Sequence, residues 1–142
     1  MANSTTSRGL NIALWVVQSL LAVMFLMAGA NKLFQSIPEL SKMLPWVTQV
    51  PEGMVRFIGI SELLGGLGLL LPSILRIKPI LTPFSAIGLA VVMLLATFFH
   101  ISKGETSVIA MPIVFMAMAI FVAWGRTKKA PILPKNSLCI YK

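Results

Sequence analysis

The sequence predicts an all-α membrane protein, a bundle of four transmembrane helices with a short interfacial helix between helices 1 and 2. Apolar residues make up 57% of the 142 residues and charged residues only 11%, whereas a soluble domain carries about 25% charged residues. The apolar residues also gather in four runs that reach or nearly reach the length needed to cross a bilayer, at about residues 10–33, 55–71, 80–101 and 108–124. We therefore predict one membrane domain over residues 1–126 and a basic cytoplasmic tail over residues 127–142.

The first run shares features with a cleavable signal peptide, since Arg8 precedes it and Ala28-Gly29-Ala30 lies near its end. The apolar core of a signal peptide spans about 7–15 residues, and this run is longer. It is long enough to cross a bilayer. We therefore assign it as helix 1 of the bundle.

Prolines and glycine separate the later runs. Pro72 and Pro79 bracket the connection between helices 2 and 3, and Gly104 separates helices 3 and 4. Thr82 followed by Pro83 is typical of a helix N-terminus. Helix 2, if it ends before Pro72, covers about 25 Å and is slightly shorter than a bilayer core.

The connection between helices 1 and 2 contains a helix signal of its own. Ser36 and Glu39 have the spacing of a capping box, and Pro45 ends the segment. We expect a short amphipathic helix at the membrane interface, with Trp46 as its anchor. Leu40 and Trp46 are predicted to form a docking surface for a partner protein.

The distribution of lysine and arginine predicts the orientation. An arrangement with both termini in the cytoplasm places eight cations inside and four outside, which agrees with the positive-inside rule. The inner side is then a plain cationic rim that sets the orientation. The outer half carries every acid and the one histidine: Glu39, Glu52, Glu62, Glu105 and His100.

Several function classes are excluded by composition. The net charge of +8 comes from cations scattered singly at the ends of apolar runs, so nucleic-acid binding is not expected. Cys139 is the one cysteine, which excludes an intramolecular disulfide, and its distance from helix 4 favours a bystander over a lipidated residue. With one histidine, His100, a metal centre is not expected.

Four ionisable side chains are predicted to lie at a similar depth in the outer half: Lys32, Arg56, Glu62 and His100. A charge inside a bilayer costs about 2.5–3.5 kcal/mol, so Glu62 should face the bundle and find a cation. Lys32 is the first choice of partner, and Arg56 is the second. Two interpretations stay open, namely a structural pair that fixes helix packing and a small polar pocket that opens outward.

Small residues beside Glu62 indicate close helix packing. Ser61 and Gly65 have the spacing of a small-xxx-small motif, and Gly66 and Gly68 follow on the same helix. Four helices in one chain already require such contacts, so packing within the chain is favoured over a dimer interface. The sequence leaves room for an oligomer.

These stretches together resemble the DoxX-like family of small membrane proteins, over about residues 10–126. The resemblance rests on Ala28–Phe34, Arg56–Gly66, Leu81-Thr82-Pro83, Phe99-His100 and Lys103-Gly104-Glu105. It implies a four-helix bundle in a bacterial cytoplasmic membrane. Some relatives are linked to membrane-associated redox systems, including a subunit of a thiosulfate:quinone oxidoreductase and a partner of detoxifying enzymes.

We expect from this resemblance an accessory or partner subunit of a membrane-associated redox system that is not catalytic on its own. One alternative is a quinone or small-anion site formed by Lys32, Glu62 and His100, with quinone as the one cofactor considered. Another is proton-coupled transport of a small molecule, with Glu62 as the proton carrier. Sulfur transfer is not expected, because no cysteine lies near this cluster.

Overall fold

The computed structural model describes residues 7–136, so the interpretation of Cys139 lies outside the described part of the chain. Five α-helices follow one another along the chain, with short 3-10 turns before α3 and α5 and a π-helical turn after α5. Their bounds are α1 Arg8–Phe34, α2 Ile37–Ser41, a 3-10 turn Pro45–Gln49, α3 Glu52–Leu75, α4 Leu81–Ser102, a 3-10 turn Thr106–Val108, α5 Ala110–Trp124 and the π-helical turn Gly125–Lys129.

The predicted four-helix membrane fold is confirmed. Four helical segments are long and apolar enough to cross a membrane, namely α1, α3, α4 and the segment Thr106–Lys129 that contains α5. Helix α1 packs against α3 and α5, and α4 packs against the same two helices, so the four form a closed bundle. We call the end with the connections 35–51 and 103–109 the loop end, and the end with residues 76–80 and 125–136 the tail end.

Helix α3 is longer than predicted. It begins at Glu52 rather than at residue 55 and ends at Leu75 rather than at residue 71, with Pro72 inside it. A proline inside a helix removes one backbone hydrogen bond and displaces nearby carbonyls. One turn earlier, the carbonyl of Leu69 accepts a hydrogen bond of 2.6 Å from Nε2 of Gln18 in α1. The prediction that Pro72 ends the helix is therefore wrong, and the 24 residues of α3 cover about 36 Å, enough to cross a bilayer.

The backbones of α1 and α3 come into direct contact where two glycines cross. A Cβ atom added to Gly29 would lie 2.7 Å from the carbonyl oxygen of Gly59 and 2.8 Å from the amide nitrogen of Leu63. A Cβ atom added to Gly59 would lie 2.8 Å from Cβ of Lys32. Only glycine fits such a crossing, which sets the spacing of the two helices at the loop end.

Three of the predicted packing glycines lie at contacts between helices. Gly66 faces Leu26 of α1, while Gly65 and Gly68 face Leu89 and Ser85 of α4. All three glycines therefore face another helix of the same chain. The hydroxyl of Ser61 instead donates a 2.9 Å hydrogen bond to the carbonyl of Phe57 in its own helix.

Candidate functional site

A buried ion pair joins α1 and α3 at the loop end. The Nζ atom of Lys32, in the last turn of α1, lies 2.7 Å from Oε2 of Glu62, and the two side chains are 6% and 5% exposed. The Gly29–Gly59 crossing brings the two helices close enough for this contact. The predicted pairing of Glu62 with Lys32 is confirmed, and a charge that would be costly alone in a bilayer is balanced by a direct partner.

The side chain of Arg56 binds the end of α1 rather than Glu62. Its Nη1 atom donates hydrogen bonds to the carbonyls of Lys32 at 2.6 Å and Gln35 at 2.7 Å. A cation at these otherwise unpaired carbonyls also interacts favourably with the helix dipole. The rest of the guanidinium pairs with Glu52, one turn earlier in α3, at 2.8 Å. Arg56 therefore fixes the end of α1.

The imidazole of His100 belongs to a separate group of contacts. Its Nδ1 atom lies 2.7 Å from Oε2 of Glu105, and its ring packs edge-on against Phe99. Glu105 also accepts a 3.0 Å hydrogen bond from Nε2 of Gln49. These bonds tie the 3-10 turn Pro45–Gln49 to the connection after α4. The described contacts do not join His100 to the Lys32–Glu62 pair.

The carboxylate of Glu105 should make the loop end sensitive to acid. The hydrogen bond from His100, followed by the one from Gln49, lowers the pKa of Glu105 from its ordinary value of 4.5, and Lys103 adds a smaller attraction. A lowered pKa contributes stability above the ordinary value, and that contribution is lost as the pH falls through the lowered one. We expect wild type to melt above Glu105→Gln at about pH 6 and the difference to shrink towards about pH 3.5 in detergent melting curves. A difference that grows on acidification would contradict this assignment.

The predicted docking surface is only partly available. Leu40 is fully buried and packs with Val47 and Val55, so the prediction that Leu40 faces a partner is wrong. The reason is that α2 packs against the 3-10 turn Pro45–Gln49, and the two form a small apolar core together with Val55 of α3. Trp46 is half-buried, with its ring 6.1 Å from that of Phe99. Met43, between these two residues, is 68% exposed.

A second polar group lies at the tail end and was not expected from the sequence. Gln18, fully buried in α1, donates to Oγ of Ser73 at 3.0 Å, and Ser73 lies 2.7 Å from the hydroxyl of Thr82 in α4. The side-chain oxygen Oε1 of Gln18 accepts a 2.9 Å hydrogen bond from Nε of Arg126. These bonds link all four spanning segments through Gln18.

Arg126 is predicted to belong to a plain cationic rim, yet this residue is only 3% exposed. Its Nη1 atom donates to Oδ1 of Asn11 at 2.9 Å and to the carbonyl of Ala130 at 3.2 Å. Two signals in the sequence point to this group. Asn11 and Gln18 are two helical turns apart on one face of an otherwise apolar run, where amides join helices.

Among residues 7–136, no group of three histidine, cysteine or acidic side chains is placed to hold a metal ion. The loop-end side chains instead bind one another and the backbone. These bonds hold α1, α3 and the two loop-end connections in one geometry.

One protein-family model matches most of the chain. The model of the DoxX-like family matches residues 16–122. This range contains Lys32, Arg56, Glu62 and His100 but ends before Arg126. The comparisons with curated proteins and with solved structures found no match.

Proposed function

The chain belongs to the DoxX-like family, and we propose that it is a non-catalytic membrane subunit that holds a membrane-associated redox enzyme at its loop end. This proposal rests on the observation that the ionisable side chains predicted to form the site, all within the matched range, form ion pairs or hydrogen bonds with other groups of the same chain. Lys32 pairs with Glu62, Arg56 binds the end of α1, and His100 binds Glu105. A group that acts on a substrate must be able to reach it, whereas these groups support a rigid surface.

The class of partner comes from the resemblance to family members that work with redox enzymes. We place the contact with the partner at the loop end, because the hydrogen bond between Gln49 and Glu105 joins two connections there into one surface. Met43 stands out from this surface, and methionine is common at protein-binding surfaces because its side chain adapts to different neighbours. We therefore take the surface around Met43 as the docking surface.

A Met43→Glu substitution should weaken docking without disturbing the bundle, because the side chain is already exposed. A charge placed at the centre of an interface costs about 2 kcal/mol or more, so recovery of the partner should fall by about tenfold or more. The measurement is purification of the tagged chain from its native membranes. The eluate is assayed for flavin and for quinone reductase activity, which identify a redox enzyme.

The matched control is Ile77→Glu, which places the same charge on a residue of similar exposure in the connection at the tail end, since Ile77 is 62% exposed and Met43 68%. This variant should recover the redox enzyme as well as wild type does. A chain that carries no redox enzyme even after crosslinking in the membrane would contradict the proposed function. Equal loss in both variants would contradict the loop end as the docking surface.

We further propose that the tail end faces the cytoplasm of a bacterium and that the chain lies in its inner membrane. The cations near the tail end support this orientation: Arg8, Arg76, Lys78, Arg126, Lys128, Lys129 and Lys135. In a Cys139→Ser background, Met43→Cys should react with a membrane-impermeant maleimide once the outer membrane is permeable. Ile77→Cys should react only after the inner membrane is opened, and the reverse pattern would contradict the orientation.

A further inference from the structure

The guanidinium of Arg126 carries a buried positive charge that no acidic side chain of this protein balances. The sequence contains four acidic side chains. Glu39 pairs with Lys42, Glu52 with Arg56, Glu62 with Lys32 and Glu105 with His100, all at the loop end. Arg126 lies at the opposite end, and its hydrogen-bond partners among residues 7–136 are all neutral.

Within the described part of the chain, one nitrogen of this guanidinium also has no hydrogen-bond partner. Nε and Nη1 bind Gln18, Asn11 and the carbonyl of Ala130, and the Cζ atom lies over the ring of Trp15, 4.9 Å from its centre. Nη2 is buried and has no partner among the described residues. Leaving a buried donor unpaired is unfavourable, and more so when the donor is charged. Such a group points to a ligand that supplies both an acceptor and a negative charge.

A cavity lies beside this group. It has a volume of about 290 Å³ and is lined by Asn11, Trp15, Ser73, Arg76, Arg126 and the segment 130–134. This volume is at the lower end of the range for small-molecule sites and is large enough for a phosphate group with a small substituent. The lining contains two arginines and no acidic side chain, which favours an anion.

The chain builds one wall of the cavity in an unusual way. Arg76 ends α3 in the left-handed region, with a φ of 54°. Its carbonyl accepts a 3.1 Å hydrogen bond from the amide of Lys135, so the segment after α5 folds back across the end of α3. This contact holds residues 130–134 over the cavity and keeps Arg76 on its rim.

We propose that this cavity binds a phosphate group, with Nη2 of Arg126 as the buried donor and Arg76 as the second cation. A guanidinium fork matches phosphate oxygens, and two arginines balance the charge of the anion. The group can come from the headgroup of an anionic phospholipid or from soluble phosphate. The site lies where the spanning segments end and is lined by Trp15, and tryptophan is enriched at the level of lipid headgroups.

Binding is tested on the full-length chain purified in a neutral detergent, with melting temperature and native mass spectrometry as the two readouts. The probes are inorganic phosphate, dioctanoyl-phosphatidylglycerol and, as a control with the same acyl chains and no phosphate, dioctanoylglycerol. A ligand of the folded state raises the melting temperature. We expect phosphatidylglycerol, phosphate or both to do so and to form a one-to-one adduct, whereas dioctanoylglycerol should do neither.

The variants separate a site from general charge attraction. Arg76→Gln should weaken binding about tenfold, because it removes one charge-assisted contact at an exposed position. Lys78→Gln is the matched control, since it removes an exposed cation from the same connection that does not line the cavity, and binding should change by less than about twofold. Arg126→Lys keeps the charge and loses the fork, and it should also bind about tenfold more weakly.

Stabilisation by phosphate alone would support the site and identify a soluble ligand, and stabilisation by phosphatidylglycerol alone would identify a lipid headgroup. The proposal is overturned if neither probe binds, or if dioctanoylglycerol binds as well as phosphatidylglycerol. Equal weakening by Arg76→Gln and Lys78→Gln would also overturn it. If Arg126→Lys does not fold, the Arg76 and Lys78 pair of variants decides the outcome.

Discussion

Glu62→Ala is expected to lower the free energy of unfolding by about 3–5 kcal/mol, the largest effect of any single substitution at the loop end. The change leaves the ammonium of Lys32 buried without its counter-charge, and an uncompensated buried charge is strongly destabilising. The measurement is the detergent unfolding curve or melting temperature of the purified chain, compared with that of wild type.

The double variant Lys32→Met with Glu62→Leu should recover most of this loss, because apolar side chains of similar volume replace a buried ion pair at little net cost. Glu52→Ala is the control for a surface pair, since Glu52 is exposed and pairs with Arg56 in the same helix. It should change stability by less than about 1 kcal/mol. A Glu62→Ala chain as stable as wild type would contradict the structural role of the pair.

Gly29→Ala is expected to destabilise the bundle by about 2–3 kcal/mol. The new methyl group would lie 2.7 Å from the carbonyl oxygen of Gly59, which is backbone and cannot rotate away. Helices α1 and α3 must then separate, which also lengthens the Lys32–Glu62 contact. Unfolding measurements on the purified chain in detergent give the magnitude.

Gly88→Ala provides the matched control in α4. A Cβ atom added to Gly88 meets nothing within 4 Å, so the substitution adds only helix propensity. Its stability should be equal to or slightly above that of wild type. If both alanine variants behave alike, the close approach of α1 and α3 at Gly29 does not hold in the protein.

The sequence predicted those features that depend on local length, hydropathy and the cost of charge. The four spans follow from apolar runs, and the Lys32–Glu62 pair follows because a buried glutamate in a membrane needs a nearby cation. The roles of Gly65 and Gly66 in packing follow from the small size of their side chains. Each of these expectations rests on the length, side-chain size or charge of residues that can be read directly from the sequence.

The missed features depend on how separate segments meet. Pro72 was expected to end a helix, yet Gln18 of α1 binds the carbonyl of Leu69 one turn earlier in α3. Leu40 was expected at a surface, yet α2 packs against the 3-10 turn before α3, and this contact buries Leu40. In a linear sequence such partners are not visible.

Arg126 shows the same limit most clearly. Arg126 lies two residues beyond Trp124, at the end of an apolar run. A count of lysine and arginine in the connections therefore treats it as a cation that sets membrane orientation. Only the packing of α1 against α5 places Asn11 and Gln18 beside its guanidinium. The burial of Arg126 is therefore visible only in the three-dimensional structure.

The most direct test of the account is the recovery of the redox enzyme by the chain that carries Lys32→Met with Glu62→Leu. In this variant the ionisable pair is absent, while the loop-end surface around Met43 is retained. We predict that the folded double variant recovers as much flavin and quinone reductase activity per chain as wild type. A double variant that is as stable as wild type but recovers no redox enzyme, or whose complex has lost its activity, would show that Lys32 and Glu62 take part in function and would contradict the account.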